Sequence, residues 1–472
     1  MSGLIRKYPA WFFFGCVAAL GLRIFFILKF PYVSDDSFVY GDIAKNWLQH
    51  GVYGLSGDHE IYSTYIRLPG YPAFLAIVFA IFGSDHYRAV LCVQMLVDVA
   101  GCFVIADIAR RLCSDRIAKI AFIGAALCPF LANYAAAALS ETLEIFFTAL
   151  ALDFAIAGVQ TDSSTGPWWI SGMACAAAIL LRPDGGLIWI SVIVYLVLLQ
   201  LLSIYSPASY SWENKISLRT LRGAFIFAIV SLAPLIPWTI RNWVTFHRVQ
   251  PLAPRYANEA DEFAPVGFNR WAATWIAEYT SVQEIYWNVP GAKIDMKQLP
   301  TRAVDDSAQQ AETSALFDAY NSRLQLTQQL DERFDRLARE RIQQHRFRYY
   351  IGLPIARIVD MWMRPRTELL PPDPRWWEFN DDWRWSVVAV GFGVLNLAYV
   401  LLACLGVLRG RKLPYIGLPL TFLLIRTAFL GTLENPEPRY TLECYPAVIV
   451  FASMVFVFAH ELYNSQQRKK QV

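Results

Sequence analysis

Charge is what this chain of 472 residues has least of. Only 17% of its residues are Asp, Glu, Lys or Arg, against about 25% in an ordinary soluble domain. With 56% hydrophobic residues, that deficit excludes a soluble globular protein. The net charge of +3 is too small to argue for a nucleic-acid partner. Eight cysteines are present, but no CxxC and no Cys/His zinc spacing, so neither a disulfide framework nor a structural metal is indicated. Cys16, Cys92, Cys102, Cys128, Cys175 and Cys404 lie inside apolar runs, where they serve as small packing residues. No internal repeat is detectable. The basic, then apolar, stretch at 1–30 lacks a small-residue cleavage site, so a retained first helix is expected rather than a removed signal peptide.

What is present is a recurrence of apolar runs near the roughly 20 residues that cross a bilayer. Ten spans are expected, at about 11–30, 89–109, 117–135, 141–158, 168–182, 186–203, 222–240, 385–408, 413–432 and 445–463. Arg6 and Lys7, then Arg110, Arg111, Arg116 and Lys119, then Lys215, Arg219 and Arg222, then Arg409, Arg411 and Lys412, and finally Arg468, Lys469 and Lys470 all fall on one side with that count. Positive charge marks that side as cytoplasmic. The short apolar stretch 68–83 would break the pattern if it crossed, so it reads as a re-entrant or interfacial helix of the first outer loop. Pro69 and Pro72 suit its start.

Three regions follow. Residues 1–240 form an N-terminal transmembrane module of about seven spans, with the first outer loop at 31–88. Residues 241–384 form an extracytoplasmic, interfacial segment too long for a simple loop. Residues 385–472 carry about three more spans. Within the middle segment, the tryptophans of NRWAATWIAEYTSVQEIYW suit the headgroup layer. Leu316, Tyr320, Phe334, Leu337 and Ile342 predict an amphipathic helix around 312–346, and GLPIARIVDMWMRPRTELLPPDP predicts a second interfacial helix.

Chemistry-bearing residues collect at the outer side. Asp35 and Asp36 stand at the mouth of the first span, and Asp36 shares a helix face with Tyr40 and Ala44. A carboxylate there suits a general base to a hydroxyl; Ser34, Asp35 or Asp36 suits a helix N-cap equally well. Arg67 begins the re-entrant helix, where a guanidinium matches phosphate oxygens or snorkels to headgroups. Glu141 opens the fourth span, Arg182 and Asp184 occupy the turn LRPDGG, Arg426 lies in the ninth span and Arg439 in the loop after it. Charges at membrane depth cost roughly 2.5–3.5 kcal/mol each on insertion scales, so a function or mutual pairing, for example Glu141 with Arg182, is expected. Asp98 and Asp153 read as helix–helix hydrogen-bonding groups.

The ordered pieces DDSFVYGDIAKNWLQHGVYG, IRLPGYPAFLAIVFAIFG, ARRLCSDRIAKIAF, ALSETL, LRPDGG, PWTIRNWVTF and RYTLECYP resemble the GT-C glycosyltransferases, in particular the family 39-like branch with aminoarabinose transferases and protein O-mannosyltransferases. The resemblance implies an all-α polytopic membrane protein: a GT-C-like bundle with periplasmic interfacial helices and a mainly helical periplasmic insertion. It implies an inverting glycosyltransferase of the bacterial inner membrane, with both termini cytoplasmic. The enzyme would move a hexosyl or pentosyl group from a polyprenyl-phosphate donor to an acceptor hydroxyl on a lipid, glycan or protein outside. Asp36 then matches the family's catalytic base and Arg67 the lipid-phosphate contact. Asp35, Tyr40, Glu141, Arg182, Arg426, Arg439 and Tyr440 are the implied substrate-binding residues. Some members carry a divalent metal; His50, His59 and His86 show no ligand spacing, and no metal ligand is assigned. A lipid-linked-sugar transporter or flippase is the competing reading, although it more naturally shows inverted halves.

Overall fold

A computed structural model describes residues 1–161, 164–205, 218–259, 261–379 and 382–457, with the backbone alone for Asp35 and 203–205. Lys215, the basic residues at 468–470 and the last part of the tenth expected span lie outside the described residues. Helix dominates. Six helical stretches are long and apolar enough to cross a membrane: Pro9–Lys29, Tyr87–Leu112, Glu141–Gln160, Pro183–Leu202, Leu218–Phe246 and Trp383–Gly410. Gly70–Phe82, Gly166–Leu181 and Gly417–Gly431 are apolar but shorter. At about 1.5 Å per residue, the helix at 70–82 covers about 20 Å, short of the roughly 30 Å hydrocarbon core. Among the described residues the only sheet is the hairpin Gly54–Ser56 with Ile61–Ser63.

Proline breaks one of the expected spans. The stretch 117–135 divides into Asp115–Ala126 and Pro129–Tyr134, because a residue before proline is pushed to extended backbone and Cys128 adopts it. That break leaves carbonyls without helical partners. Arg23, wholly buried, donates Nη2 to Ala125 O at 3.1 Å and Nη1 to Ala126 O, while its Nε meets Asp98 Oδ2 at 2.7 Å. Asp98 therefore pairs with Arg23 across helices. Asp153 does the same with Arg111 at 2.7 Å. Both buried acids have their compensating cation, as charge at membrane depth requires.

The chain divides into two compact units. The first comprises Met1–Glu259, Tyr399–Ile425 and Leu442–Val472; the second, Ala260–Ala398 and Arg426–Thr441. The second unit has its own aromatic core, in which Phe268, Trp271, Trp275, Phe317, Tyr320 and Phe334 are buried. Trp271 and Trp275 thus lie in a protein interior rather than at a headgroup layer: their helix and loop are covered by the helix Gln328–Gln344, whose Phe334 meets Trp271 at 5.3 Å between ring centroids. The single amphipathic helix expected at 312–346 is two, Ser307–Asn321 and Gln328–Gln344. Thr327 caps the second through the Leu330 N–H at 3.3 Å, and Leu324 takes a left-handed conformation at φ 56° in the turn.

Candidate active site

The first outer loop is folded, and its local chemistry explains how. Ser34 is the N-cap of the helix Asp35–His50, and its own N–H donates to Ser37 Oγ at 3.2 Å. Ser34 and Ser37 therefore serve the helix start, and the Asp36 carboxylate is turned to another partner. That helix is tied near its start and at its middle. Tyr87 Oη donates to Ser37 O at 3.2 Å. Further along, Asp42 accepts from the Ser56 N–H at 2.7 Å and from its hydroxyl at 2.8 Å, anchoring the hairpin.

Two backbone contacts bring distant segments to the same place. Tyr32 donates its N–H to Ala136 O and accepts from the Ala138 N–H, each at 2.9 Å, so the loop entrance is stitched to the strand-like stretch before Glu141. Gly70 packs directly on the end of the helix Gly166–Leu181; a Cβ at that position would stand 2.6 Å from Leu180 O. Glycine is required there, and it places the Arg67 segment beside Arg182. Gln94 joins the two arrangements, donating to Ala137 O at 2.7 Å and accepting from Tyr71 Oη at 2.8 Å.

The resulting site sits in the first unit. Arg67 Nη2 lies 2.9 Å from Asp36 Oδ1. The same guanidinium stands 5.6 Å from the centre of the Tyr40 ring, which packs edge-on against Tyr71 at 5.0 Å. Asp36 keeps 43% of its side chain exposed and Arg67 22%, so the pair is open on the carboxylate side. Arg67 Nε is buried without a hydrogen-bond partner. Loss of water around the Tyr40 hydroxyl raises its phenol above the ordinary value, with Arg67 acting against that rise, Asp36 adding to it, and Arg182 and Glu141 within reach as well. Tyr40 therefore senses all four charged groups together.

Arg182 is surrounded by acid. Glu141 lies 3.2 Å away, Glu144 3.5 Å and Asp184 3.4 Å, and Glu443 adds a further negative charge within electrostatic reach. The mutual pairing of Glu141 with Arg182 is present. Glu144 was not singled out by sequence; its signal is the i,i+3 spacing from Glu141 in ETLE, which sets both on one helix face. Glu443 has no such local signal. A second unanticipated element is Arg241. It donates to Thr64 O and Tyr53 O, both at 2.7 Å, and stands over the rings of Tyr53, Trp238 and Phe246 at 5.1–5.3 Å. Tyr53 in turn donates its hydroxyl to Arg67 O at 2.9 Å, so Arg241 braces the segment that carries Arg67.

Arg426, Arg439 and Tyr440 belong to the second unit and meet one another there. Buried Arg426 donates Nε to Tyr440 O at 3.1 Å. Tyr440 Oη donates to Glu437 Oε1 at 2.6 Å, and Arg439 Nε lies 2.5 Å from Glu437 Oε2. The Asp35 side chain lies outside the described residues. Among the described residues, no group of three or more His, Cys, Asp or Glu side chains is placed to hold a metal ion.

Residues 67–238 match the family described as dolichyl-phosphate-mannose-protein mannosyltransferase. No curated protein matches the chain by sequence. Among solved structures, the oligosaccharyltransferase AglB from Archaeoglobus fulgidus, in complex with an inhibitory peptide and a dolichol-phosphate, aligns at 12% identity and a TM-score of 0.53, over 96% of this chain and 50% of that one. The apo form of the Archaeoglobus fulgidus oligosaccharyltransferase gives 13% and 0.52, over 95% and 50%. ArnT from Cupriavidus metallidurans, bound to undecaprenyl phosphate, gives 15% and 0.40, over 93% and 78%. The chain thus spans about half the length of the oligosaccharyltransferase whose fold it shares. The chain shares the fold of that oligosaccharyltransferase and, over residues 67–238, matches the sequence pattern of the dolichyl-phosphate-mannose-protein mannosyltransferases.

Proposed function

We propose that this chain is an inverting glycosyltransferase that takes a hexosyl or pentosyl group from a polyprenyl-phosphate donor and attaches it to an acceptor hydroxyl. The observation that carries the reading is the Asp36–Arg67 pair over Tyr40, half open to solvent, with Arg67 Nε still lacking an acceptor. Asp36 takes the proton of the acceptor hydroxyl. The acceptor oxygen bonds to the anomeric carbon as the bond from that carbon to the phosphate oxygen breaks. The lipid phosphate leaves with the electron pair, and the anomeric configuration inverts. Arg67 meets the departing phosphate, where negative charge develops in the transition state. Glu141 and Arg182 line the site, Arg182 holding the acids that surround it. The carrier lipids named for AglB and ArnT, dolichol-phosphate and undecaprenyl phosphate, are the class of donor this assigns to the present chain.

We place the site on the outer face of the membrane. Tyr87 and Arg110–Arg111 lie near opposite ends of one helix of 26 residues, about 35 Å apart at 1.5 Å per residue. Tyr87 touches the Asp36 helix, while the arginines mark the cytoplasmic end. The same polarity supports termini on the inner side, and the bacterial inner membrane is the location that the family resemblance implies.

The test uses a lipid-linked sugar labelled in the sugar, supplied to the protein in proteoliposomes. Release of free polyprenyl phosphate with label on a new hydroxyl is expected. Movement of the intact lipid between leaflets without cleavage of the sugar–phosphate bond would make the chain a flippase instead.

A further inference from the structure

The second unit contains a carboxylate that nothing in the mechanism uses. Glu368 lies in the chain between the helix Leu353–Met363 and the helix that begins at Trp383; both its carboxylate oxygens are buried, its own backbone N–H lies beside them, and among the described residues no other group donates to them. Three arginines stand in its field, Arg366, Arg364 and Arg439, yet their donors are committed elsewhere. Arg366 donates to Asn396 Oδ1 at 3.1 Å, to Pro438 O at 2.6 Å and to Thr441 Oγ1. Arg364 donates to Thr280 Oγ1 at 2.9 Å and to Pro374 O, and pairs with Asp360 at 3.5 Å. Arg439 is paired with Glu437 at 2.5 Å. A buried carboxylate left with empty acceptor positions is costly, and a ligand that donates hydroxyls removes that cost.

The surroundings narrow the ligand. Tyr279 lies in the field of Glu437, Glu368, Arg439 and Arg364, two acids and two guanidinium groups. A cluster balanced in charge favours a neutral polar ligand over a phosphate or a cation. Aromatic surface is at hand: the Arg364 guanidinium stands 5.6 Å from the Tyr279 ring and 5.5 Å from the Trp377 ring, and Trp377 is 46% exposed. Hydroxyl acceptors beside an exposed indole face are the two complements of a sugar ring, which offers hydroxyls at its rim and an apolar C–H face.

We propose that Glu368, Tyr279, Arg439 and Trp377 form a carbohydrate subsite, with Glu368 accepting hydrogen bonds from sugar hydroxyls. The subsite takes a saccharide, the substrate class of the glycosyltransferase reading, and its place in that reaction rests on that reading. The same chemistry serves a free glycan or a glycolipid headgroup.

The full chain in lipid nanodiscs is examined by saturation-transfer NMR with methyl α-D-mannopyranoside, methyl β-D-glucopyranoside and N-acetylglucosamine as probes. At least one probe binds the wild-type protein, and Glu368→Leu weakens that binding at least about tenfold, the effect of losing one hydrogen bond to a charged group. The melting temperature of Glu368→Leu is unchanged or higher, because the variant removes an unsatisfied buried carboxylate. Trp377→Ala also weakens binding. Wild-type protein that binds none of the three probes overturns the subsite, as does wild-type-like binding by Glu368→Leu. If Glu368→Leu does not fold, the isosteric Glu368→Gln decides: binding weakened by it supports the subsite, and unchanged binding overturns it. Because the readout is binding, sugar binding without any transfer by the wild-type protein would overturn the glycosyltransferase reading and leave the subsite standing.

Discussion

Arg67 Nη2 and Asp36 Oδ1 are 2.9 Å apart although 31 residues separate them in the chain. The contact joins the first-loop helix to the segment leading into the helix Gly70–Phe82. Its guanidinium also faces Tyr40 and retains one unfilled donor, Nε. On the proposed reaction, one arginine thus both holds the carboxylate and supplies a donor to the departing phosphate.

Arg67→Ala removes that donor and frees Asp36. On the proposed reaction, kcat falls by about 10²–10³, the cost of one lost transition-state donor, and the KM for the lipid-linked donor rises as well. Steady-state kinetics over a range of donor concentrations checks this. Arg67→Lys keeps the charge but not the fork, and falls between the two.

Arg182→Met leaves Glu141 and Glu144 buried without their cation. Breaking a buried pair by removing one partner costs about 3–5 kcal/mol, so a large fall in melting temperature in detergent is expected. A variant as stable as wild type would mean that solvent or another group compensates these acids.

Asp305 provides a pH-dependent test of the second unit. Burial pushes its carboxyl up, but Arg348, which donates to both oxygens at 2.5 and 2.7 Å, Arg341 at 3.1 Å and His345 together hold it below the ordinary value. A depressed folded value contributes stability that is present above the unfolded carboxyl value, about 3.9, and is lost as pH falls through the folded one. Asp305→Asn should therefore lower stability by about 1.5–3 kcal/mol at neutral pH, and the gap to wild type should close below about pH 4. Thermal melts of both proteins across that range give the answer.

Arg241→Ala should disturb the site from a distance. Its loss frees the Thr64 and Tyr53 carbonyls, and Tyr53 positions the Arg67 backbone. The expected result is a donor KM raised severalfold with Asp36 chemistry still operating, so the pH profile of kcat keeps its shape. A changed profile would give Arg241 a more direct part than bracing.

Much of this arrangement could be read from local pattern. The helical i,i+4 spacing of Asp36 and Tyr40, the proline-flanked start after Arg67 and the acid opening at Glu141 in ALSETL all describe neighbourhoods a few residues long. The structure places Asp36, Tyr40, Arg67, Glu141 and Arg182 in one such neighbourhood in space. What the pattern omits is long-range. Glu443 reaches Arg182 from the far end of the chain, and Arg241 reaches Tyr53 across 188 positions. Trp271 and Trp275 show the converse failure. Composition marks an indole as amphipathic, but whether it settles among headgroups or in a protein core depends on what packs over it, and here that is the helix carrying Phe334.

The most direct measurement is a single-turnover assay of polyprenyl phosphate release by Asp36→Asn, with donor binding measured on the same preparation. The proposed base predicts a rate lower by about 10²–10⁴ with donor affinity unchanged. A wild-type rate in that variant would contradict the account.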